Sequence, residues 1–378
     1  MAGVSEGSAG QACSVEWRGR TVSAWVPAEL HRRDLALSTS AVRAAERAVA
    51  ALRLADQRLP ATFEALARLL LRHEGIASSG IEGLREPIAS VLVAERTGLG
   101  GAAGWVADNL AVIGAALHTA REPLSVEMMN DWHTRLMRNS DLPAEMVGEF
   151  RPTQGWVGGT SPLDAAYIPP PAAEIPRLMD DLVRFADAAD DLDAVSRAAI
   201  AHAQFVAVHP YGDGNGRLGR VLVSRILRRG GATQRSVAPI SMAVARDPGG
   251  YLSGLRLFET GHAGQWVQWF AGVVERAAEF SDSIVDESQK TIGQWRAATS
   301  SLRPDSAARA LLEHLPVYPV INSADVADLL GVTERTGRTA LNTLAKHNVL
   351  SEIDFSSRGV GRARHWYAAD QLLQLWRT

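Results

Sequence analysis

The sequence predicts a mainly α-helical protein: a helical bundle that contains one β-hairpin, followed by a small α+β domain. Apolar residues recur at spacings of three and four over most of the chain from Ser40 onward, as on one face of a helix. The segment 148–170 departs from this pattern, because it is rich in glycine and proline and contains strand-type residues. From Ala307 to Thr378 the pattern becomes short helices followed by two strands, which is typical of a winged helix-turn-helix domain.

Length and composition limit the classes of protein that fit. A chain of 378 residues can form two or three domains with substantial cores. The net charge of −3 and the charged fraction of 21% argue against a protein that coats polyanions with its whole surface. Lys290 and Lys346 are the only lysines. Because arginine supplies the remaining positive charge throughout, its abundance alone is weak evidence for phosphate binding.

Cysteine usage and hydropathy favour a cytoplasmic location. Cys13 is the only cysteine, which excludes an intrachain disulfide and a cysteine-clustered metal site. No apolar run approaches the ~18 residues that a membrane-spanning helix needs. The first residues lack a basic segment followed by an apolar one, so we expect no secretory signal and no membrane partner.

Helical periodicity divides the first 300 residues into a series of predicted elements. The region 17–25 alternates and predicts a short strand or an arm. Asp190, Asp191 and Asp193 are expected to cap the helix that follows them, and His202 is expected to be a core histidine rather than a ligand. The predicted helices are Val42–Leu54, Pro60–Leu71, a pair within Pro87–His118 separated by the loop Gly98–Gly104, Leu124–Met137, Ile175–Phe185, Ala198–Val208, Leu218–Leu227, Tyr251–Phe258, Trp266–Val274 and Phe280–Trp295.

The stretch from His209 to Arg220 combines a histidine, a carboxylate, a Gly-Asn-Gly turn and two arginines within twelve residues. It lies between two apolar helical patterns, so we expect an exposed loop that leads into a helix N-terminus. Gly214, Asn215 and Gly216 can turn consecutive backbone N–H groups inward as a cradle for an anion. The start of the second helix adds its own free N–H groups and the positive end of its dipole.

Charged residues of the same stretch supply the other parts of a nucleotide-phosphate site. Arg217 and Arg220 are three residues apart, share one helix face and can both reach a polyphosphate. Asp213 offers an oxygen to Mg²⁺, which commonly binds one or two carboxylates together with phosphate oxygens and water. His209 remains beside the cradle as a proton acceptor. A glycine-rich turn with a capping aspartate and two solvated arginines is the alternative interpretation.

This stretch, His-Pro-Tyr-Gly-Asp-Gly-Asn-Gly-Arg-Leu-Gly-Arg, resembles the signature of the Fic family, His-Pro-Phe-x-(Asp/Glu)-Gly-Asn-Gly-Arg-x-x-Arg. Tyr211 replaces the usual phenylalanine, which keeps the ring under the loop and adds a hydroxyl that needs a partner. The resemblance covers about residues 40–285. It implies a protein adenylyltransferase, which moves AMP from ATP to a Tyr, Thr or Ser hydroxyl of a target protein. Tyr251 resembles a position that helps to line the base and ribose pocket.

The resemblance also implies a role for each matching residue. His209 would deprotonate the target hydroxyl for attack on the α-phosphorus. Gly214, Asn215 and Gly216 would hold the α- and β-phosphates. Asp213 would position Mg²⁺ between these phosphates. The arginines would bind further along the polyphosphate, Arg217 at the β-phosphate and Arg220 at the γ-phosphate.

An upstream pattern, Ser78-Ser79-Gly80-Ile81-Glu82-Gly83, resembles the inhibitory motif Ser-x-x-x-Glu-Gly that many Fic proteins carry before the catalytic core. In a helix, Ser78 and Glu82 share one face. The resemblance implies that Glu82 would pair with Arg220 and leave ATP in an unproductive pose. A capped helix end at Gly83 is the alternative interpretation.

The segment from Gly148 to Pro170, called here the flap segment, has Val157 and Ile168 as strand-type residues. In Fic proteins the equivalent segment is an edge hairpin that takes the target polypeptide as an added strand. The resemblance therefore implies that a target protein binds near Gly155 to Ile168. A surface loop without a special role is the alternative.

The last part of the chain predicts two helices joined by a tight turn and two strands around a wing. The predicted elements are Ala307–Leu315, Ser323–Leu330 with Ser323 as its N-cap, the turn Gly331–Thr333, Glu334–Lys346, and strands Val349–Phe355 and Arg362–Tyr367. A basic face is predicted from Arg335, Arg338, Arg358, Arg362 and Arg364. Such a domain can bind DNA, or serve in dimerisation or protein docking, and the sequence leaves both interpretations open.

The predicted organisation is an N-terminal helical segment with the inhibitory helix (1–100), a Fic core (101–285), a linker (286–306) and the winged helix-turn-helix domain (307–378). Other functions remain open. The same loop can transfer other phosphate-linked groups, remove AMP when the glutamate orients water, or modify its own chain. A homodimer and a DNA-binding regulator with a sensing or vestigial core also fit, although intact His209 and Asp213 argue against a vestige.

Overall fold

A helical bundle and two small antiparallel sheets make up the described residues 9–33, 35–60, 64–353 and 365–375 of a computed structural model. The helices of the bundle are α1 Thr39–Arg58, α2 Glu64–Ile81, α3 Ile88–Thr97, α4 Gly101–His118, α5 Val126–Met137, α6 Ile175–Asp187, α7 Ala194–Val208, α8 Asn215–Arg229, α9 Ile240–Ala245, α10 Pro248–Glu259 and α11 Ala263–Ala298. The remaining elements are β1 Gly10–Trp17, β2 Arg20–Pro27, α12 Ala307–Leu312, β3 Val320–Asn322, α13 Ser323–Leu330, α14 Glu334–Lys346, β4 Ser351–Ile353, β5 Trp366–Ala368 and α15 Asp370–Gln374. The mainly α prediction is confirmed.

The bundle is built around α7, in which nearly every side chain is buried. It packs against α8, α6, α11 and α1. The Asp193 carboxylate begins α7 by accepting the N–H groups of Val195 and Ser196, both at 2.9 Å. Capping by this aspartate was predicted. His202 is buried on α7 and hydrogen bonds to Tyr251 at 2.8 Å, as expected for a core histidine.

The N-terminal sheet is a β-hairpin in which β1 pairs with β2 from Gly10 opposite Pro27 to Trp17 opposite Arg20. The prediction of one short strand or an arm near 17–25 was therefore incomplete. The missing strand, β1, begins with small and polar residues (Gly-Gln-Ala-Cys-Ser), so apolar alternation in the sequence is weak.

Several helix boundaries in the bundle differ from the prediction, and two of the differences change how the helices are connected. The loop between α3 and α4 is only residues 98–100, because Gly98 ends α3 in the left-handed region and α4 begins at Gly101. The helices predicted as Trp266–Val274 and Phe280–Trp295 are one continuous helix, α11. The predicted linker, 286–306, is therefore helical as far as Ala298. The buried positions of α11 recur with a helical period throughout its length. The polar residues between the two predicted helices therefore lie on the outer face of one helix and do not interrupt it.

The flap segment forms less regular structure than the predicted hairpin. Val157 and Tyr167 form a single antiparallel bridge, with the Val157 N–H bonded to the Tyr167 carbonyl at 2.9 Å. Glycines on the connection, including Gly158 and Gly159 at positive φ, favour turns over an extended ladder. The Trp25 N–H of β2 donates to the Ile168 carbonyl at 2.9 Å, so the flap segment is joined to the N-terminal hairpin.

The C-terminal unit, residues 307–375, contains a three-stranded sheet in the order β3-β5-β4 and the helix pair α13 and α14. The N-cap of α13 is Asn322, which forms a capping box with Asp325, so the assignment of Ser323 as N-cap was wrong by one residue. Both α13 and α14 have the predicted bounds. The predicted wing, with Arg358, Arg362 and Arg364, lies outside the described residues. The winged helix-turn-helix domain and its DNA contact stay predictions.

Among the described residues, no single helix has the length and hydropathy required to span a membrane. The bent pair formed by α3 and α4 meets these criteria only when its two helices are taken together, across an angle of 71°.

One buried carboxyl group fastens α2 to the bundle and makes stability depend on pH. Glu74 is buried and accepts the Ser241 N–H at 2.7 Å and the Ser241 hydroxyl at 2.5 Å. Burial raises the pKa of Glu74 to about 7, although the Ser241 hydrogen bonds and Arg220 oppose the rise. The folded state therefore binds a proton more tightly than the unfolded state, in which the pKa is near its ordinary value of 4.5.

We expect the free energy of unfolding to fall as the pH rises from about 4.5 to about 7, by about 3 kcal/mol from this group. Glu74→Gln should remove this part of the pH dependence, because glutamine does not titrate. Chemical denaturation at several pH values measures the effect, and Glu46→Gln on the exposed face of α1 is the control. Equal pH dependence in the Glu74→Gln and unchanged proteins would contradict the assignment.

Candidate active site

Residues 209–214 form the predicted loop between α7 and α8, and Asn215 to Arg220 form the first turns of α8, which begins three residues before the predicted Leu218. His209 ends α7 in the left-handed region (φ 49°, ψ 59°), and Gly214 precedes the first residue of α8 at φ 76°. A Cβ at Gly214 would lie 2.9 Å from the Met137 sulfur, so both its conformation and its surroundings require glycine. The N–H groups at the start of α8 point out of the helix toward this loop.

Asn215 closes the loop with its side chain. Its amide oxygen accepts the Tyr211 N–H at 3.0 Å, and its amide nitrogen donates to the Tyr211 carbonyl at 2.9 Å. Asn215 is buried. Its side chain is therefore engaged with the loop, so a phosphate held by Asn215 would be held by its backbone N–H, and this role stays a prediction.

The Tyr211 ring packs under the loop, and its hydroxyl has a partner. The ring stacks on His133 with centroids 4.0 Å apart and touches Phe150 at 5.5 Å. The hydroxyl donates to the Asn130 side-chain oxygen at 2.7 Å. The hydroxyl that tyrosine adds at a position where phenylalanine is usual therefore has the hydrogen-bond partner that it needs.

His133, on α5, was not identified from the sequence. Its Nδ1 accepts the Gly148 N–H at 2.9 Å, so the ring proton is on Nε2, which lies 3.1 Å from the Asp213 carbonyl oxygen. Burial lowers the pKa of His133 to about 4. A neutral ring in this tautomer joins α5, the start of the flap segment and the loop between α7 and α8. Nothing in the sequence near His133 distinguishes it from other core residues of an amphipathic helix.

Arg151 is a second residue beside the loop that the sequence did not single out, although its place in the flap segment was noted. Its Nε donates to the His209 carbonyl at 2.9 Å, Nη1 to the Thr153 carbonyl at 2.8 Å and Nη2 to the Pro170 carbonyl at 2.5 Å. The guanidinium is buried and thus connects both ends of the flap segment to the backbone of the candidate base.

His209 is partly buried at the end of α7. Burial lowers its pKa to about 4, and the positive charge of Arg151 acts in the same direction, while Glu82 and Asp213 oppose the change. The ring is neutral throughout the neutral pH range and can accept a proton.

Arg217 is a buried cation with donors available for a ligand. Nη2 lies 3.4 Å from the Met137 sulfur and 3.9 Å from an Asp213 oxygen. Among the described residues, Nε and Nη1 are buried and have no hydrogen-bond partner. Unpaired buried donors are costly, so this guanidinium fits a site that receives an anion.

Asp213 is 67% exposed at its side chain, and Oδ1 accepts the Gly214 N–H at 2.6 Å. In the part of the chain that the structure describes, no group of three or more His, Cys, Asp or Glu residues could hold a metal ion. A single exposed carboxylate beside an anion cradle does fit Mg²⁺ that arrives with a polyphosphate, since such an ion needs only one or two carboxylates.

The predicted inhibitory residues meet Arg220 on the other side of the cradle. Arg220 is buried; its Nη2 donates to Glu82 Oε1 and to the Ser78 carbonyl, both at 2.8 Å, and its Nε donates to Ser78 Oγ at 2.9 Å. A Cβ at Gly216 would lie 2.0 Å from Glu82 Oε1. The Glu82 carboxylate therefore fills the space directly in front of the cradle. Gly83 follows at φ 83° in the turn after α2.

Tyr251 lies on α10 and is buried against Trp266 and Trp269. Burial raises its pKa to about 12, and Arg220 opposes the rise. The structure thus places Tyr251 behind Arg220. Its assignment to a base and ribose pocket stays a prediction.

Comparison with known proteins agrees with this geometry. The model of the Fic/DOC family matches residues 123–227, from just before α5 to the last turn of α8. The protein adenylyltransferase fic-1 of Caenorhabditis elegans is 34% identical over 115 residues, which are 30% of this chain and 21% of that protein. The protein adenylyltransferase Fic of Drosophila melanogaster is 34% identical over 110 residues, 29% of this chain and 20% of that protein. The chain thus spans about a fifth of the length of these curated relatives.

Two solved structures share the fold. A Fic family protein from Desulfovibrio desulfuricans G20 superposes with a TM-score of 0.52 at 21% identity, covering 88% of this chain and 97% of that one. A Fic domain containing signaling protein from Bacteroides thetaiotaomicron VPI-5482 superposes with a TM-score of 0.51 at 17% identity, covering 64% of this chain and 97% of that one.

Tyr211→Phe should lower the free energy of unfolding by about 1 kcal/mol, because the Asn130 oxygen loses its hydrogen-bond donor. Urea denaturation measures the change. Tyr318→Phe is the matched control, since among the described residues the Tyr318 hydroxyl makes no hydrogen bond and only its ring contacts Arg96. An equal effect of the two substitutions would show that the Asn130 contact contributes nothing specific.

Proposed function

We propose, from the premise that this chain carries a Fic/DOC family domain at residues 123–227, that the protein is an adenylyltransferase. It would transfer AMP from ATP to a Tyr, Thr or Ser hydroxyl of a target protein. The observation that supports this function best is the arrangement of Arg217 beside the α8 N-terminus. Its two unpaired buried donors belong to the first turn of α8, where the helix N–H groups are free to bind an anion, and the neutral His209 ends the preceding helix.

The reaction assigns one task to each group. The target hydroxyl gives its proton to the His209 imidazole, and its oxygen bonds to the α-phosphorus of ATP. The bond from the α-phosphorus to the β-phosphate oxygen breaks, and pyrophosphate leaves. The backbone N–H groups of Gly214 to Gly216 would stabilise the charge that grows on the α-phosphate oxygens. Arg217 would hold the β-phosphate, which keeps the leaving group in line with the attacking oxygen.

Asp213 would hold a Mg²⁺ ion that arrives with ATP, and the ion would supply charge neutralisation of the leaving pyrophosphate. The exposed position of the carboxylate suits this role, because the remaining ligands would come from phosphate oxygens and water.

We propose that the acceptor is an extended polypeptide at the flap segment. Arg151 ties this segment to the backbone of His209, so a peptide bound along it would be placed relative to the base. Val157 and Leu163 are among the exposed large apolar side chains of the described residues, and both lie on this segment. Strand addition would use main-chain hydrogen bonds and leave the choice of target to side chains such as these.

We propose that Glu82 inhibits the enzyme. Arg220 would bind the γ-phosphate, but its guanidinium is already bonded to Glu82 and Ser78. The Glu82 carboxylate also lies against Gly216, where it would repel an incoming phosphate. ATP would therefore bind either weakly or with its α-phosphate turned from the acceptor.

His209→Ala should abolish AMP transfer and preserve ATP binding, because the substitution removes the proton acceptor and leaves the cradle intact. Transfer is measured with ATP labelled on the α-phosphate in the Glu82→Gly background, and binding is measured by calorimetry. The exposed His262 provides the control substitution His262→Ala. Transfer at an undiminished rate in His209→Ala would refute its assignment as the base.

Glu82→Gly should raise AMP transfer by tenfold or more, since breaking a partly buried ion pair worth about 1.4 kcal/mol or more frees Arg220 for the γ-phosphate. Incorporation of label into the protein itself and into a cell lysate measures transfer. Glu86→Gly, in the same connection but without an ion pair among the described residues, is the control. An unaltered rate in Glu82→Gly would exclude inhibition by this residue.

A further inference from the structure

Glu82 is the first residue after α2, and this helix is fastened to the C-terminal unit before it reaches Ser78. Arg72, two turns upstream on α2, has a side chain only 3% exposed. Its Nη1 donates to the Val317 carbonyl of the C-terminal unit at 2.8 Å, and its Nε donates to Glu95 on α3 at 2.9 Å. A buried guanidinium that joins three parts of the chain is costly to leave unpaired.

The chain is fastened to the same unit again just after Glu82. Residues 82–87 lead directly into α3, whose Leu92 and Val93 are buried against β3 and β5. The residues of the C-terminal unit in this apolar cluster are Val320, Trp366 and Ala368. At the end of α3, Arg96 forms an ion pair with Asp325 at 2.8 Å and lies over the Tyr318 ring.

Glu82 therefore lies between two attachments to one structural unit. Its own surroundings are open by comparison: its side chain is 38% exposed, and a Cβ at Gly80 or Gly83 would meet nothing within 4 Å. Gly80 also weakens the last turn of α2. Most of residues 73–79 of α2 are buried on the bundle, so only the turn around Glu82, between the end of α2 and the start of α3, is loosely packed. The position of this turn follows that of the two helices that flank it.

We propose that the C-terminal unit sets the position of Glu82, with Arg72 as the positioning residue that couples the two. Contact between the unit and the α2–α3 pair keeps Glu82 on Arg220, and weakening of that contact releases Arg220 to a nucleotide. This inference rests on the proposed function, and it adds a control element to the same site.

Other contacts limit how much α2 can move when Arg72 is lost. Glu74 is bonded to Ser241, and the Asn109 amide donates to the Gly75 carbonyl at 3.0 Å and to Ser79 Oγ at 3.2 Å. These contacts hold the middle of α2 on the bundle. Loss of Arg72 should therefore shift the balance between the inhibited and the open arrangement without unfolding the helix.

An ordinary packing role for Arg72 makes the opposite prediction. If Arg72 only stabilises the junction of two folded units, its removal lowers stability and leaves transfer unchanged or reduced. Coupling to Glu82 instead predicts a gain of activity, which a loss of stability does not produce.

Arg72→Ala should raise AMP transfer about tenfold over the unchanged chain, equivalent to about 1.4 kcal/mol. Arg72→Lys should give a smaller increase than Arg72→Ala. An ammonium can keep one of the two contacts, but it lacks the forked geometry with which the guanidinium reaches both Val317 and Glu95. Arg33→Ala is the matched control: Arg33 is also buried and donates to a backbone carbonyl, that of Phe258, at 2.7 Å, but it does not contact α2. It should produce no increase.

Because Arg72→Ala could disturb folding, Arg96→Ala tests the same junction from α3 at a more exposed side chain, and it should also raise transfer. In the Glu82→Gly background neither substitution should raise transfer further. An increase with Glu82→Gly but none with Arg72→Ala or Arg96→Ala, in chains with unchanged circular dichroism, would refute the coupling alone. Failure of Glu82→Gly itself to raise transfer would instead refute the proposed inhibition, so the two failures are distinguishable.

Discussion

The site depends on two hydrogen bonds within one loop. Asn215 uses both polar atoms of its amide to hold the backbone of Tyr211, four residues earlier. This closure places the end of α7 and the beginning of α8 in a fixed relation, so that His209 and the helix N–H groups face the same space. The buried ring of Tyr211 and the neutral ring of His133 support the loop from below. Without the closure, neither the base nor the cradle would have a defined position.

Burial determines the chemistry of the charged groups around this loop. It keeps His209 neutral, and it leaves Arg217 with donors that the described protein groups do not satisfy. Arg220 is equally buried, but its Nε and Nη2 already donate to Ser78 and Glu82. Two arginines three residues apart on one helix therefore differ in this structure. Arg217 has donors free to bind an anion, and Arg220 is already paired with a carboxylate.

The parts of the site that the sequence predicted are those encoded locally. The loop, its glycines and the two arginines follow from twelve consecutive residues, and Glu82 was found because helical spacing and a short motif coincide. His133, Arg151 and the Asn130 partner of Tyr211 were missed, because each acts through contacts with residues distant in the sequence. The same limit applies to the fold. Helix positions followed from periodicity, whereas the strand β1 and the uninterrupted α11 depend on neighbours that a single sequence does not specify.

The hydrogen bond between the Trp25 N–H and the Ile168 carbonyl makes the two edges of the flap segment different. One side of its single bridge is already occupied by β2, since the Ile168 carbonyl accepts a hydrogen bond from the N-terminal hairpin. Backbone groups alternate between the two sides of an extended segment, so those of Trp156 and Gly158 face away from Tyr167. Among the described residues of the flap segment, this outer edge is the one that β2 does not cover. Under the proposed strand addition, a target strand would pair at this edge, and the N-terminal hairpin would exclude it from the opposite edge.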